Sequence, residues 1–529
     1  MRAPFSRTLG DLLDEQAQQH GERVAVIEDG IEYSLTALAD RAGRLAAGLR
    51  ARGVRRGDRV GILAENRIEW LEICFGASAA GAVVVPISTW SKPAELAFII
   101  EDAAIGTLFA VASVGGEDFV AGLRSVRAAL PSLHTLVLIG NHPPEEGWRL
   151  YEDLFAQQPC LLDPGDRPSA ADDALILYTS GSTSKPKAVR LAHYGLIENG
   201  FNIGERQKLR PEDRVLAAVP LFWAYGAANL LPASLTHAAT IVLQNRFEPG
   251  AALASIERHR CSVIYTLPGM TSALIAHPEF ARERTQSLRT GLTIGNSQDV
   301  INAATVLGAT NICNIYGSSE TYGNCCVTPA DWPLDRRSTC QGPPLPGVAI
   351  RLVDPQRGVA VGPGEAGQIE VSGYLMAGYG GQSASSNAGV FTPDGWYRTG
   401  DVGRLTDAGD LVFEARDSEM IKRAGINVSP AEVEDLLMQH AGVAEAAVVG
   451  APDPHRGEII VAFVVRAGAA PVTAAELVAH CRALASRYKV PDRIEFRDRL
   501  PMTPTGKIQR QALKREALAP AAEENRHSA

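Results

Sequence analysis

The chain has 529 residues, 46% hydrophobic and 21% charged, with a net charge of −9 at pH 7. That length exceeds a single core and implies roughly two to four domains or subdomains. The acidic balance without any Lys/Arg run argues against a nucleic-acid partner or an anionic membrane surface. The longest apolar run, residues 75–87, is interrupted by Gly and Ala and is too short to span a bilayer.

Eight cysteines are scattered without Cys-x-x-Cys spacing, and the adjacent pair Cys325-Cys326 is poorly placed for a disulfide. The N-terminus has no apolar signal core, so a reducing, cytoplasmic compartment is expected. Only eight of the 51 basic residues are lysines, which makes each lysine informative.

In chain order, residues 9–20 have helical periodicity, 23–27 read as a strand, and 35–52 form a long amphipathic helix. Strand 58–63, helix 68–80 and strand 82–86 follow, and the alternation continues to about residue 140. That pattern predicts a parallel α/β sheet. A Pro- and Asp-rich stretch, 143–167, leads to an apolar run at 174–178. A second alternating block spans 191–339. From 342 to 414 short strands separated by turns predict a small β-subdomain or barrel. A compact α/β unit closes the chain, with helices over 430–440 and 474–486 and strands over 443–449 and 459–465. Residues 520–529 are polar and Ala-rich.

The stretch Tyr178-Thr-Ser-Gly-Ser-Thr-Ser-Lys-Pro-Lys-Ala-Val189 lies between two strand-like runs. Its hydroxyls, free N–H groups and two lysines converge as oxyanion-binding loops do. A polar hairpin is the plainer alternative. A Walker A loop is excluded, because Lys185 is followed by Pro186 rather than by Ser or Thr.

Further on stand Pro220-Leu-Phe-Trp-Ala-Tyr-Gly226, Leu292-Thr-Ile-Gly-Asn-Ser297, Asn314-Ile-Tyr-Gly-Ser-Ser-Glu-Thr321, Gly395-Trp-Tyr-Arg-Thr-Gly-Asp401, Arg416-Asp-Ser-Glu-Met-Ile-Lys-Arg-Ala-Gly-Ile-Asn427 and Pro501-Met-Thr-Pro-Thr-Gly-Lys-Ile-Gln-Arg510. Taken singly each has an ordinary explanation: core packing for the aromatic cluster, a solvated Glu320, a turn at Asp401, a surface cation at Lys507.

Together and in this order they resemble the adenylate-forming superfamily of acyl-CoA synthetases, aryl-acid ligases, peptide-synthetase adenylation domains and luciferases. The resemblance covers essentially the whole chain. It implies an α/β protein: a large N-terminal domain (1–416) of two α/β subdomains and a small β-barrel-like subdomain, then a mobile α+β C-terminal domain (417–529). ATP and AMP would meet Thr179, Ser180, Gly181, Ser182, Thr183, Lys187, Asn296, Tyr316, Gly317, Ser319, Asp401, Arg416 and Lys507. Within that set, Lys187 would hold pyrophosphate and Tyr316 would pack on the adenine. Asp401 and Arg416 would take the ribose, and Lys507 would bridge the substrate carboxylate and the α-phosphate. Glu320 would hold Mg²⁺.

Trp223, Ala224, Ile294, Gly317 and Gly323 would line the acyl pocket, with Trp223 either walling it or gating the thiol's route. Asn296 would hydrogen-bond the substrate or only the adenine. Asp417 would be the domain pivot, and Gly425 would face the CoA path. The chain departs from the family pattern at Ser184 and Ala188, at Ile294 and Asn296, and at Ala424.

The implied reaction is ATP-dependent activation of an aryl, alicyclic or fatty acid to an acyl-adenylate, then transfer to CoA. No Asp or Glu among the pocket residues greets an amino group, which argues against amino acids. Alternatives are an adenylation enzyme that loads a carrier protein acting in trans, and a catalytically silent AMP-binding protein. An oligomer is compatible with all of these.

Overall fold

The computed structural model describes residues 2–140, 146–155, 167–179, 186–416, 419–423, 426–453, 456–468, 472–485, 487–503 and 507–518. Local signals set the first elements. Thr8 Oγ1 accepts the Asp11 N–H at 3.2 Å and starts helix Leu9–His20, which Gly21 ends. Ser34 does the same for Leu35–Ala51 through the Ala37 N–H. Helix Ile68–Ala79 is apolar around most of its circumference, Glu69 and Glu72 apart, and is accordingly enclosed, with Trp70, Leu71, Ile73 and Phe75 buried. At Gly76 a β-carbon would come within 2.9 Å of the Ala42 carbonyl, so glycine permits these two helices to approach closely.

Two eight-stranded sheets form the larger part. One runs Cys326–Val327, Asn311–Tyr316, Thr290–Thr293, Val263–Tyr265, Arg214–Ala217, Thr240–Leu243, Val24–Glu28, Ile31–Ser34. The other runs Tyr379–Gly380, Lys187–Ala192, Asp173–Thr179, Val83–Pro86, Arg59–Leu63, Ile105–Val111, Thr135–Ile139, Trp148–Leu150. Their inner strands are parallel and mostly apolar, as strands covered on both faces must be.

The chain does not fill these sheets in the order that its two alternating blocks suggest. Strand Val24–Glu28 leaves the first block and pairs with Thr240–Leu243, Val26 opposite Ile241. Asp173–Thr179 and Lys187–Ala192 instead extend the sheet of the first block beside Val83–Pro86. The two halves are thus interlocked, and one continuous core spans both.

The small β-subdomain is an antiparallel sheet in the order Ala349–Val353, Gly367–Ser372, Tyr397–Leu405, Leu411–Arg416. Its Leu352, Ile369, Val371 and Leu411 pack with Tyr316 from the end of strand Asn311–Tyr316. That packing brings Asp401 to the first sheet.

The C-terminal unit is a five-stranded sheet whose strands Val443–Asp453 and Gly457–Arg466 alternate between two cores. Val448, Ile460, Ala462 and Val464 face Val433, Leu437 and Leu477 of helices Pro430–Met438 and Ala474–Leu484. Val449, Val461 and Phe463 face Leu500 and Leu513, the latter on helix Arg510–Ala517. The second core anchors the turn that carries Lys507. Among the described residues no helix is long and apolar enough to cross a membrane.

Candidate active site

The strand-like runs on either side of the candidate oxyanion loop are strands: Asp173–Thr179 and Lys187–Ala192 pair antiparallel, with Thr179 opposite Lys187. The loop's two ends are therefore pinned side by side. Ser180, Gly181, Ser182, Thr183 and Ser184 lie outside the described residues, as do Asp417 and Gly425. Ala188 is buried, and its N–H donates to Ser383 Oγ at 3.1 Å.

Lys187 extends over the ring of Tyr379, Nζ 5.0 Å from the centroid, and the Tyr379 hydroxyl donates to Glu320 Oε1 at 2.8 Å. Glu320 sits in the one-turn helix Ser319–Thr321, and its carbonyl accepts the Met376 N–H. Just after it, Tyr322 has φ of +56°, a left-handed conformation costly for a bulky residue. The burial of its ring offsets that cost. Its hydroxyl accepts the Ala192 N–H at 3.0 Å, and its carbonyl accepts from Asn199 and Asn229. The turn that aims Glu320 is thus fixed from three sides.

Asp401 stands opposite Arg416 across the pairing of Tyr397–Leu405 with Leu411–Arg416. It is only 3% exposed, and Tyr316 donates its hydroxyl to Oδ2 at 2.7 Å. Arg416 Nε lies 2.9 Å from Oδ1, but Oδ1 accepts no hydrogen bond from any described residue. Burial raises the Asp401 pKa above its ordinary value, with Arg416 and Tyr316 opposing. The result is a carboxylate oxygen shut away from water with spare acceptor capacity. The Tyr316 ring stacks on Phe413 at 5.7 Å.

Lys507 lies on the turn 501–510, where its N–H donates to Thr503 Oγ1 at 3.0 Å. Its ammonium pKa is lowered by the crowding around it and by the Arg416 guanidinium. Arg510 anchors the turn, with Nη2 2.9 Å from Glu434 Oε2 and Nε 3.6 Å from Glu419 Oε2.

The expected acyl-pocket residues divide into two groups. Trp223 and Ala224 are half-buried and lead into Tyr225–Leu230, a π-helical turn of a kind frequent at functional sites. Trp223 meets Trp90 edge-on at 5.2 Å and Phe222 at 6.0 Å. Gly317 and Gly323 meet each other instead: a β-carbon on Gly317 would fall 2.4 Å from the Gly323 carbonyl oxygen. The space beside Gly323 is taken by Asn229, whose buried Oδ1 has no hydrogen-bond partner among the described residues. Ile294 is half-buried against the main core.

Asn296 caps helix Ser297–Ile301. Its Oδ1 accepts the Asp299 N–H at 3.0 Å, and Asp299 Oδ2 accepts the Asn296 N–H at 2.9 Å. Its amide nitrogen, which makes no hydrogen bond to a described residue, is left for a ligand.

Asp299 also marks the seam with the C-terminal unit. Burial pushes its pKa up to about 7, and the nearby Asp435, Glu434 and Glu445 add to the rise. Asp435 is pushed up to about 6 by burial and by Glu434, with the Ser297 N–H opposing. A raised folded-state pKa stabilises the docked form below the ordinary carboxylate range, and that stabilisation is lost as pH rises from about 4 through 6–7. Docking of the C-terminal unit against helix Ser297–Ile301 is therefore expected to weaken between about pH 4 and 7, and Asp299→Asn to flatten that trend, read as the pH dependence of limited proteolysis between the two units. Identical profiles for the two proteins would contradict this.

The family model described as AMP-binding enzyme matches residues 13–379, and that of the AMP-binding enzyme C-terminal domain matches 432–507. This chain belongs to the AMP-binding enzyme family. The adenylate-forming expectation drawn from the ordered motifs is borne out. Feruloyl-CoA synthase of Amycolatopsis sp is 34% identical over 507 residues, covering 94% of this chain and 97% of that protein. Two solved structures superpose along nearly the full length. The anthranilate CoA ligase AuaEII in complex with anthranoyl-AMP has a TM-score of 0.85 at 27% identity, covering 98% of this chain and 99% of that one. ATP-bound MatB from Rhodopseudomonas palustris has a TM-score of 0.84 at 26% identity, covering 96% and 98%.

In this AMP-binding enzyme three side chains escape sequence reasoning: Tyr379, Trp90 and Asn229. Tyr379 lies in a Gly-rich stretch without charge, Trp90 in a loop, and Asn229 within an apolar helical run. Only the tertiary fold brings them to Glu320, Trp223 and Gly323.

Proposed function

We propose that this enzyme converts a carboxylic acid and ATP to an acyl-adenylate and pyrophosphate, then passes the acyl group to CoA with release of AMP. The observation that carries the reading is a pair of charged clusters: Lys187 and Glu320 around Tyr379, and Asp401 with Arg416 and Tyr316.

In the first step a carboxylate oxygen attacks the α-phosphorus and the bond to pyrophosphate breaks. Two anions approach, so cations must neutralise the developing charge. Lys507 serves the reacting oxygens, and Lys187 serves the departing pyrophosphate. Asp401 fits the ribose because its Oδ1, ion-paired with Arg416 but accepting no hydrogen bond from a described residue, has a lone pair left for a hydroxyl. Glu320 fits Mg²⁺ on the nucleotide: Oε1 is held by Tyr379, and Oε2 takes no hydrogen bond from any described residue. Bound there, Mg²⁺ would supply Lewis-acid stabilisation of the phosphates, with phosphate oxygens and water completing its shell.

In the second step the CoA sulfur attacks the acyl carbon, AMP leaves, and the thiol proton goes to solvent or phosphate. Lys507 cannot occupy the site while the thiol enters it. The C-terminal domain, from 417 onward, accordingly turns about Asp417 and brings the Gly425 segment round.

The edge-to-face cluster of Trp90, Phe222 and Trp223 favours a flat, aryl acid, a class that includes the acids named for the ferulate and anthranilate enzymes above. Trp223→Ala is expected to lower kcat/KM for aryl acids by about 10- to 100-fold while a medium-chain fatty acid gains ground, since an edge-to-face pair and ring burial contribute ~1.5–3 kcal/mol. An unchanged acid preference, read as pyrophosphate release across both classes, would remove Trp223 from the pocket.

A further inference from the structure

We infer that Tyr379 is a positioning residue that holds the Glu320 carboxylate and the Lys187 ammonium apart at a set spacing, and so couples divalent-cation binding to pyrophosphate binding. The inference rests on the reading of Glu320 as the metal carboxylate and Lys187 as the phosphate cation.

Glu320 and Lys187 carry opposite charge within one side chain of each other. Left alone, they would pair and quench one another, and neither would face the nucleotide. No such pair forms among the described residues, because the phenol ring lies between them. The ammonium stands over the ring, 5.0 Å from its centroid, and the hydroxyl at the ring's edge donates to Glu320 Oε1 at 2.8 Å. The ring face attracts a cation without fixing its donors, so Lys187 keeps its three N–H groups for phosphate oxygens. The hydroxyl occupies one carboxylate oxygen and leaves the other toward a metal. Partners that orient a metal ligand in this way govern metal affinity.

The tyrosine is itself tightly held. It is 5% exposed, and its backbone pairs with Val189, two residues beyond Lys187. Asn387 grips the same residue, Oδ1 accepting the Tyr379 N–H at 2.8 Å and Nδ2 donating to its carbonyl at 3.0 Å. None of these restraints uses the hydroxyl, so Tyr379→Phe removes the hydroxyl's contacts with Glu320 and Tyr397 and leaves the scaffold.

The test is equilibrium binding to the full chain, with Mn²⁺ as the metal probe titrated into the ATP complex, and ATP titrated separately in EDTA. For Tyr379→Phe the metal concentration at half-saturation is expected to rise about 10-fold, with metal-free ATP affinity and melting temperature unchanged. Tyr379→Leu loses the ring as well, so metal-free pyrophosphate binding is expected to weaken at least about 3-fold. Glu320→Gln separates the two levels of the argument. Weaker metal binding in Glu320→Gln with none in Tyr379→Phe would overturn the role of Tyr379 alone. No change in Glu320→Gln would overturn the metal reading of Glu320 beneath it. Equal loss of ATP affinity with and without metal in Tyr379→Phe would reduce the residue to packing.

Discussion

Lys507→Ala is expected to slow acyl-adenylate formation by about 10²–10³-fold, the usual effect of removing one preorganised charge from a developing anion. The loss should fall on the rate, because the ammonium meets charge that appears only as the carboxylate reaches the α-phosphorus. Thiol transfer from preformed acyl-adenylate should be nearly unaffected, since Lys507 must leave before the thiol enters. Pre-steady-state pyrophosphate release and single-turnover transfer to CoA measure the two steps separately. Equal slowing of both would mean that Lys507 acts through the fold. The turn has its own supports, Arg510 to Glu434 and Thr503 to the Lys507 N–H, which do not need the ammonium.

Asp401→Ala is expected to be the second largest change, and of a different kind. The carboxylate links Tyr316, Arg416 and, in the proposed complex, two ribose hydroxyls. Its removal takes away charge-assisted hydrogen bonds of about 1.5–3 kcal/mol each. ATP affinity should fall by about 10²-fold. Stability should drop by roughly 1–3 kcal/mol, because the Tyr316 hydroxyl loses its acceptor inside the protein. Calorimetric ATP titration and denaturant unfolding read the two effects independently. Normal ATP binding with reduced stability would make Asp401 a structural acid and leave the ribose without its proposed partner.

Much of the architecture is written in local chemistry. Thr8 and Gly21 bound the first helix as their types require, and the mostly apolar circumference of helix Ile68–Ala79 announces its burial. The period-two alternation of Val443–Asp453 and Gly457–Arg466 separates the two C-terminal cores residue by residue. Sheet membership has no such local signature. Nothing within residues 24–28 states that this strand pairs with Thr240–Leu243, since any apolar strand of that length would fit either sheet.

The site follows the same division. Glu320, Asp401, Arg416 and Lys507 stand in motifs whose order carries their meaning, and the fold pairs Asp401 with Arg416. Asn296 shows the limit of motif reading. As a residue type it suits a ligand, but its carbonyl is committed to a helix cap with Asp299. Tyr379 shows the converse: a neutral ring with no motif of its own, whose importance lies in the two charges it separates. The π-helical turn Tyr225–Leu230 is likewise invisible in composition, because its apolar residues suit an α-helix equally well.

The most direct test of the central claim is acid-dependent pyrophosphate release across aryl, alicyclic and fatty acids, with and without CoA. The account predicts sustained release only when CoA is present, strongest with an aryl acid, with acyl-CoA accumulating in step. A single burst of bound acyl-adenylate that CoA fails to discharge would contradict CoA as the acceptor and point to a carrier protein. No release with any acid would contradict the enzyme itself.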